Sequence, residues 1–171
     1  PNGRILFVSE RHNGGQRCGN TATSGNMYTM KPDGTDVVRI SFHETNERSP
    51  VVDHDGRLVY SRWDYVDRHA YSAQSMWVSM PDGRNPRSWH GNYIEDDKPF
   101  HPISEGDIRP IPGSPGKYAG IAAGHHEAFQ GNLCIIDINK RAKYQEQIRW
   151  YWEGWDLPGD TFLSTNNRFD R

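Results

Sequence analysis

The sequence of 171 residues has only two cysteines, no hydrophobic run long enough to span a membrane and no excess of positive charge. Two cysteines do not form the ligand pairs of a zinc finger, and the Cys-x-x-Cys-His pattern of covalent haem attachment is absent. Lysine and arginine number 20 against 22 aspartates and glutamates. This balance argues against a nucleic-acid-binding protein, which needs a basic surface.

The two cysteines, Cys18 and Cys134, leave two alternatives open. They form one disulfide, or they are two buried free thiols, because spacing in the sequence does not place their Cα atoms within bonding reach. The chain has no Met at position 1 and no signal-peptide pattern, so we expect a processed, excised or incomplete chain.

Aromatic residues, glycine and proline are abundant. The chain has six Trp, eight Tyr and six Phe, which a disordered protein would lack, and 17 Gly with 11 Pro indicate many turns between short elements. This composition predicts an all-β protein.

The sequence repeats with a period of roughly 50 to 60 residues, which is close to that of β-propeller blades. One repeated strand pattern occurs at residues 3–9, 56–62 and 116–122, and a second at 26–34, 75–83 and 131–137. Asp-Gly pairs between such runs are typical of hairpins. We expect four-stranded antiparallel blades at roughly 1–47, 48–104 and 105–150, with 151–171 as the start of a further blade or a linker.

This arrangement amounts to an incomplete propeller of about two and a half to three blades, whereas closed propellers have about four to eight. Further strands are expected near 49–53 and 107–111 as inner strands, near 145–150 as the outer strand of the third blade, and at 159–164 as the inner strand of a fourth. We therefore expect the remaining propeller blades or another protein chain to complete the ring. Long insertions at 11–25, 64–74 and 124–131 are the expected place for function.

The repeat resembles TolB-like propellers, and residues 3 to 150 resemble more specifically the middle domain of hydrazine synthase alpha subunits. The segments that carry the closer resemblance are Ile5-Leu6-Phe7-Val8-Ser9-Glu10-Arg11 with Cys18-Gly19, Gly56-Arg57-Leu58-Val59-Tyr60-Ser61-Arg62-Trp63-Asp64-Tyr65-Val66-Asp67, Arg109-Pro110-Ile111-Pro112-Gly113-Ser114-Pro115-Gly116-Lys117, and Gly124-His125-His126 with Gly131-Asn132-Leu133. The sequence departs from the family pattern at 127–130, where Glu127 and its neighbours replace small residues.

This resemblance implies a periplasmic or other extracytoplasmic location. It also implies a relation to a multi-subunit c-type haem enzyme that makes hydrazine from nitric oxide and ammonium. In that family the haem motifs lie outside the propeller, so c-type haem is expected in flanking domains or partner subunits and no cofactor within this segment.

The strongest candidate site is His125-His126-Glu127. Two imidazoles beside a carboxylate are suited to a transition metal or haem, although one histidine capping a strand while the other faces solvent explains the pattern equally simply. Pro112-Gly113-Ser114 has a superficial likeness to a nucleophile elbow, but it joins two predicted strands and is interpreted as a turn. We predict no catalytic residue in the segment.

The densest aromatic run contains Trp150, Trp152 and Trp155. It predicts an interaction surface, for blade packing, a partner protein or sugar rings. The leading functional hypothesis is a non-catalytic β-propeller scaffold of a larger extracytoplasmic protein. The alternatives are a domain of a hydrazine-synthase-like haem enzyme and, less favoured, a carbohydrate-binding propeller.

Overall fold

The computed structural model of the chain describes residues 2–17, 23–65, 74–90, 104–123, 131–139 and 160–162. These residues form eleven strands joined by turns and loops. Over these ranges no helix is long and apolar enough to cross a lipid bilayer. The all-β prediction is confirmed for the described part of the chain.

The strands form three successive antiparallel units, each made of neighbours in sequence. The first unit is β1 (Ile5–Ser9), β2 (Asn26–Met30) and β3 (Val38–Arg39); the second is β4 (Glu47–Val52), β5 (Leu58–Trp63), β6 (Gln74–Ser79) and β7 (Arg87–Ser88); the third is β8 (Ser104–Pro110), β9 (Lys117–Ala123), β10 (Gly131–Asp137) and β11 (Asp160–Phe162). A single parallel pair, Gln74 with Ser104, joins the second unit to the third. Each unit is one propeller blade, and the fold is a partial β-propeller.

The hairpins between strands have the geometry that their Asp-Gly pairs predict. Gly34, Gly56 and Gly83 have φ of 84°, 84° and 82°. Each donates its N–H to the carbonyl three residues earlier, at 2.8 to 3.0 Å. Only glycine adopts this left-handed conformation without steric cost, and it fits the twist of the flanking strands.

The outer strand of the third blade is β11, at a position where the sequence predicted the inner strand of a fourth blade. β11 pairs antiparallel with β10, with Phe162 opposite Cys134, so it is the fourth strand of this blade. The repeat spacing predicted the inner strand of a fourth blade at 159–164 and the outer strand of the third at 145–150, and the latter range lies outside the described residues. The first of these predictions is wrong, because the connection before β11 is longer than the connections before β3 and β7.

Two apolar clusters fill the spaces between blades. The cluster between the first and second blades contains Met27, Ile40, Leu58 and Tyr60. The cluster between the second and third contains Val59, Met76, Val78, Ile108, Tyr118, Ala122, Cys134 and Ile136. Burial of one such large side chain contributes roughly 1.5 to 3 kcal/mol. Because side chains alternate between the two faces of a strand, each blade supplies a different set of residues to each neighbour.

The inner strands of the second and third blades carry equivalent irregularities. The register of β4 shifts between Arg48 and Val51, and that of β8 shifts between Gly106 and Arg109. Ser49 and Asp107 lie at these bulges with φ of 49° and 48°. The Ser49 hydroxyl donates to a carboxylate oxygen of Asp107 at 2.5 Å, so the two bulges meet across the blade boundary.

The antiparallel register puts the strand ends that flank all three long insertions at one end of the sheets, which we call the loop-bearing end. There β1 ends and β2 begins, β5 ends and β6 begins, and β9 ends and β10 begins. The tight hairpins lie at the opposite end. The long insertions therefore leave and rejoin the sheets on one side of the scaffold.

Two hairpin glycines separate two costs of adding a side chain: the cost of the left-handed backbone conformation and the cost of steric overlap with a neighbour. A Cβ at Gly34 would meet nothing within 4 Å, whereas a Cβ at Gly83 would lie 1.7 Å from the Ile40 carbonyl oxygen. We expect Gly34→Ala to lower the free energy of unfolding by about 1 kcal/mol, the cost of the left-handed conformation. Gly83→Ala should cost about 1 to 3 kcal/mol more, because the blades must move apart. Denaturant unfolding of both variants tests this, and equal losses would contradict it.

Candidate functional site

The loop-bearing end of the first two blades is held together by contacts between insertions and linkers. Arg17, on the first insertion, forms an ion pair with Glu44 at 2.7 Å and donates to the Tyr65 carbonyl at 3.1 Å. The Asn46 side chain accepts the Gly25 N–H at 2.8 Å. The bases of two insertions and the linker between the blades thus form one connected surface.

A polar cluster lies beneath this surface: Ser41, His43, Glu47, Arg62 and Asp64, here called the His43 cluster. An Arg62 guanidinium nitrogen lies 2.9 Å from His43 Nδ1, and His43 Nε2 lies 2.8 Å from the Trp63 carbonyl oxygen. Because guanidinium only donates and a carbonyl only accepts, His43 is neutral with its proton on Nε2. Both ring nitrogens are therefore occupied by contacts within the protein.

The surroundings of His43 disfavour its protonation. Burial lowers the pKa of His43, and the neighbouring Arg62 cation lowers it further, while the Trp63 carbonyl, Asp64 and Glu44 act in the opposite direction. Protonation of Nδ1 would place a second positive charge against the guanidinium. Neutral His43 is thus suited to hold the blade linker against the end of β5. Protonation of His43 at low pH would weaken this contact.

Glu47, the first residue of β4, is 1% exposed and connects the second blade to the first. Its carboxylate accepts from the Ser41 hydroxyl, whose oxygen accepts the Met27 N–H of β2 at 2.8 Å. Burial raises the pKa of Glu47, and these hydrogen bonds together with Arg62 and Arg39 offset part of that rise. We call this contact an interblade clamp. It runs from the start of an inner strand to the strand that lies next to the outer strand in the preceding blade.

Glu105 forms the same clamp between the third blade and the second. Its side chain is 3% exposed and lies 2.8 Å from His90 Nδ1. The Met76 N–H donates to its second oxygen at 3.3 Å. Met76 in β6 corresponds to Met27 in β2, so the two clamps reach the same backbone position of successive blades, Glu105 directly and Glu47 through the Ser41 hydroxyl.

A cleft of about 260 Å³ opens beside the His43 cluster. Its lining includes Phe42, whose side chain is 78% exposed, and Ser41, His43, Glu47 and Arg62. The Arg39 guanidinium lies 4.8 Å from the Phe42 ring centre. An exposed aromatic ring beside a polar cleft is a typical anchor for a partner protein.

The sequence-predicted site residues fall outside the described part of the chain. This applies to His125, His126 and Glu127 and to Trp150, Trp152 and Trp155, although β9 and β10, which flank the histidines, place both ends of that insertion at the loop-bearing end. Cys134 is buried between the second and third blades, and Cys18 is not described, so both alternatives for the cysteines stand. Within the described ranges no group of three or more potential ligands is arranged for a metal ion.

The segment around Ser114 is a turn, as predicted. The Ser114 N–H donates to the Ile111 carbonyl at 3.0 Å, and Gly113 and Gly116 have φ of 72° and 80°. It joins β8 to β9 directly. The sequence reasoning did not identify the His43 cluster or Glu105. The available signal was a glutamate near the start of the inner strand in two repeats. It lies nine residues before Gly56 in one repeat and eleven before Gly116 in the other.

Solved structures show which fold these blades belong to. A protein described as TolB, from Agrobacterium tumefaciens, superposes with a TM-score of 0.54 at 12% identity, over 79% of this chain and 42% of that one. Hydrazine synthase from Kuenenia stuttgartiensis superposes with a TM-score of 0.60 at 14% identity, over 80% of this chain and 20% of that one. The chain has a TolB-like β-propeller fold, and it spans less than half the length of either protein.

No protein-family model matches the sequence, and no curated protein matches it. At the identities found, the structural likeness establishes the fold alone. The relation to hydrazine synthase is distant at the level of sequence.

The pKa of His43 predicts a pH dependence of stability. The folded-state pKa is below 6.5, so below that pH the unfolded chain binds more protons and stability falls as pH falls. We expect the stability difference between wild type and His43→Gln to shrink between about pH 7.5 and about pH 5.5. Denaturant titrations measure it. The control is His54→Gln, at an exposed position in a hairpin; parallel curves for wild type and His43→Gln would refute the assignment.

The clamp at Glu105 predicts that removing this one side chain lowers the unfolding free energy strongly. Glu105→Ala removes the acceptor of the Met76 N–H and His90 and should cost roughly 2 to 5 kcal/mol of unfolding free energy. Asp107→Asn, two residues away and exposed, keeps the left-handed preference of its position and should cost less than about 1 kcal/mol. Denaturant unfolding measures both variants. A similar loss of unfolding free energy in both would mean that the Glu105 clamp stabilises the fold no more than an exposed residue does.

Proposed function

We propose that this chain is a non-catalytic β-propeller scaffold within a larger extracytoplasmic protein related to the hydrazine synthase alpha subunit. Its loop-bearing end receives partners, and its blades hold the insertions in place. The observation that supports this most is the arrangement of that end: insertions emerge on one side, and the buried polar groups beneath them hold the blades together.

The residues of this chain do not fit covalent c-type haem. Attachment needs two cysteines and a histidine in close sequence, and Cys18 and Cys134 are far apart with no adjacent Cys-His pair. In the described part, His43 has both ring nitrogens occupied by Arg62 and Trp63. In the proposed assembly, covalently attached c-type haem is therefore carried by flanking domains or partner subunits.

The partner-binding role predicts a difference between the two ends of the blades. A photoreactive benzoylphenylalanine in place of Phe42 changes an exposed aromatic residue conservatively at the loop-bearing end, and the same group in place of His54 lies at the hairpin end. In the native assembly we expect cross-links to a partner from position 42 and none from position 54. Equal yields, or cross-links from position 54 alone, would contradict the proposed orientation.

The haem-enzyme alternative rests on the sequence resemblance and on the TM-score of 0.60 with hydrazine synthase. It assigns metal or haem ligation to His125 and His126. For a scaffold, we expect the haem spectrum in alkaline pyridine and the metal content of the native assembly to be unchanged by His125→Ala and His126→Ala together. Loss of either signal, with subunit composition preserved, would favour the alternative.

A further inference from the structure

The face of the first blade that is turned away from the second blade carries an aromatic pair. In β1 the side chains that pack against the second blade alternate with Ile5 and Phe7, so these two lie on the opposite face. Phe7 pairs with Tyr28 across the sheet, and their rings stack with centres 5.8 Å apart. We call Ile5, Phe7 and Tyr28, together with Arg11, the open face.

Arg11 lies over the two rings of the open face. Its guanidinium carbon is 5.1 Å from the Phe7 ring centre and 5.3 Å from the Tyr28 ring centre. Its Nε donates to the Ser9 hydroxyl at 3.1 Å. Arg11 is exposed, and among the described residues its two terminal nitrogens make no hydrogen bond or ion pair. The guanidinium is therefore held in place while most of its donors remain available for an acceptor.

The second blade has the same arrangement on a face that is covered. Tyr60 lies opposite Trp77, as the two open-face rings lie opposite each other in the first blade. The Arg62 guanidinium carbon is 4.1 Å from the Trp77 ring centre, and a terminal nitrogen of Arg62 donates to His43 Nδ1 at 2.9 Å. His43 belongs to the linker that follows the first blade. An arginine on an aromatic pair thus receives its acceptor from the adjacent blade.

The two equivalent faces differ in burial. Beneath the first blade, Leu58 is 3% exposed and Tyr60 is 1% exposed. On the open face Phe7 is half-buried, and Ile5, which precedes it by two residues as Leu58 precedes Tyr60, is 40% exposed. An exposed aliphatic side chain beside an aromatic pair and an arginine has the composition of an interface. The open face therefore resembles a surface that a neighbouring blade buries.

We propose that Arg11 anchors a further interface between blades. In the natural full-length protein a neighbouring blade covers the open face and presents a hydrogen-bond acceptor, a neutral imidazole or a carboxylate, to the Arg11 guanidinium. His43 is the acceptor of this kind that Arg62 has in the second blade. A blade is the expected occupant because both solved structures continue beyond the part that this chain matches, which is 42% of one and 20% of the other. The inference rests on the partial ring and not on the scaffold role.

Labelling of an introduced cysteine tests whether the open face is covered. In the natural full-length protein, Ile5→Cys should react with a maleimide about tenfold or more slowly than Val38→Cys, as read by mass spectrometry of the labelled peptides. The two positions are similarly exposed in the described residues, at 40% and 43%, and only the first lies on the open face. Equal rates would overturn the proposal. A rate at position 5 that rises on dilution, as for a second copy of the chain, would overturn it too.

Removal of the guanidinium tests the role of Arg11. In the Ile5→Cys protein, Arg11→Met keeps an apolar side chain over the rings but removes every donor, and should speed labelling at position 5 by about fivefold or more. Arg11→Lys, which keeps the charge without the planar stacking, should give an intermediate rate. The control is Arg84→Met, at a side chain that is 82% exposed in a hairpin and pairs with Asp82.

A labelling rate that Arg11→Met leaves unchanged, or that Arg84→Met raises equally, would overturn the assignment of Arg11. The comparison of the two cysteine positions is made with Arg11 in place, so it stands even where Arg11→Met disturbs the first blade. The cross-linking and haem measurements decide the proposed function separately.

Discussion

A buried carboxylate at the head of an inner strand is the contact on which the arrangement of these blades depends. Glu47 and Glu105 are almost fully removed from water, which is costly for a charged group unless strong donors replace the lost hydration. Glu105 accepts the Met76 N–H of the preceding blade and a hydrogen bond from His90. Glu47 accepts from the Ser41 hydroxyl, which in turn accepts the Met27 N–H of the preceding blade. The apolar clusters supply most of the burial, and the carboxylates specify the register in which blades meet.

The same contacts explain how long insertions coexist with a well-defined scaffold. The chain passes from one blade to the next directly beside the clamp, and His43 and Asn46 bind the ends of neighbouring strands and the base of the first insertion there. Insertions can then vary in length and composition without loosening the sheets beneath them. Function on such a surface depends on what the loops carry, as is common for folds built from rigid sheets.

Local chemistry made much of the fold predictable from the sequence. Asp-Gly pairs and alternating apolar runs located the hairpins and most strands, and Pro112–Gly116 was recognised as a turn, because each pattern determines structure within a few residues. The clamps were not recognised, since Glu47 and Ser41 are informative only once the Ser41 hydroxyl is known to lie between Glu47 and the Met27 N–H. β11 was misassigned for a similar reason: its place is set by pairing with β10 across a connection of variable length.

Gly83 bears on the angle between the first two blades. Its Cα approaches the Ile40 carbonyl at the outer edges of the first two blades, where a methyl group would not fit. Blades in a propeller are wedges, and the angle between neighbours determines how many wedges complete a circle. A contact that lets the outer edges approach each other narrows the angle between the first two blades, and the absence of a side chain at Gly83 is what permits that approach.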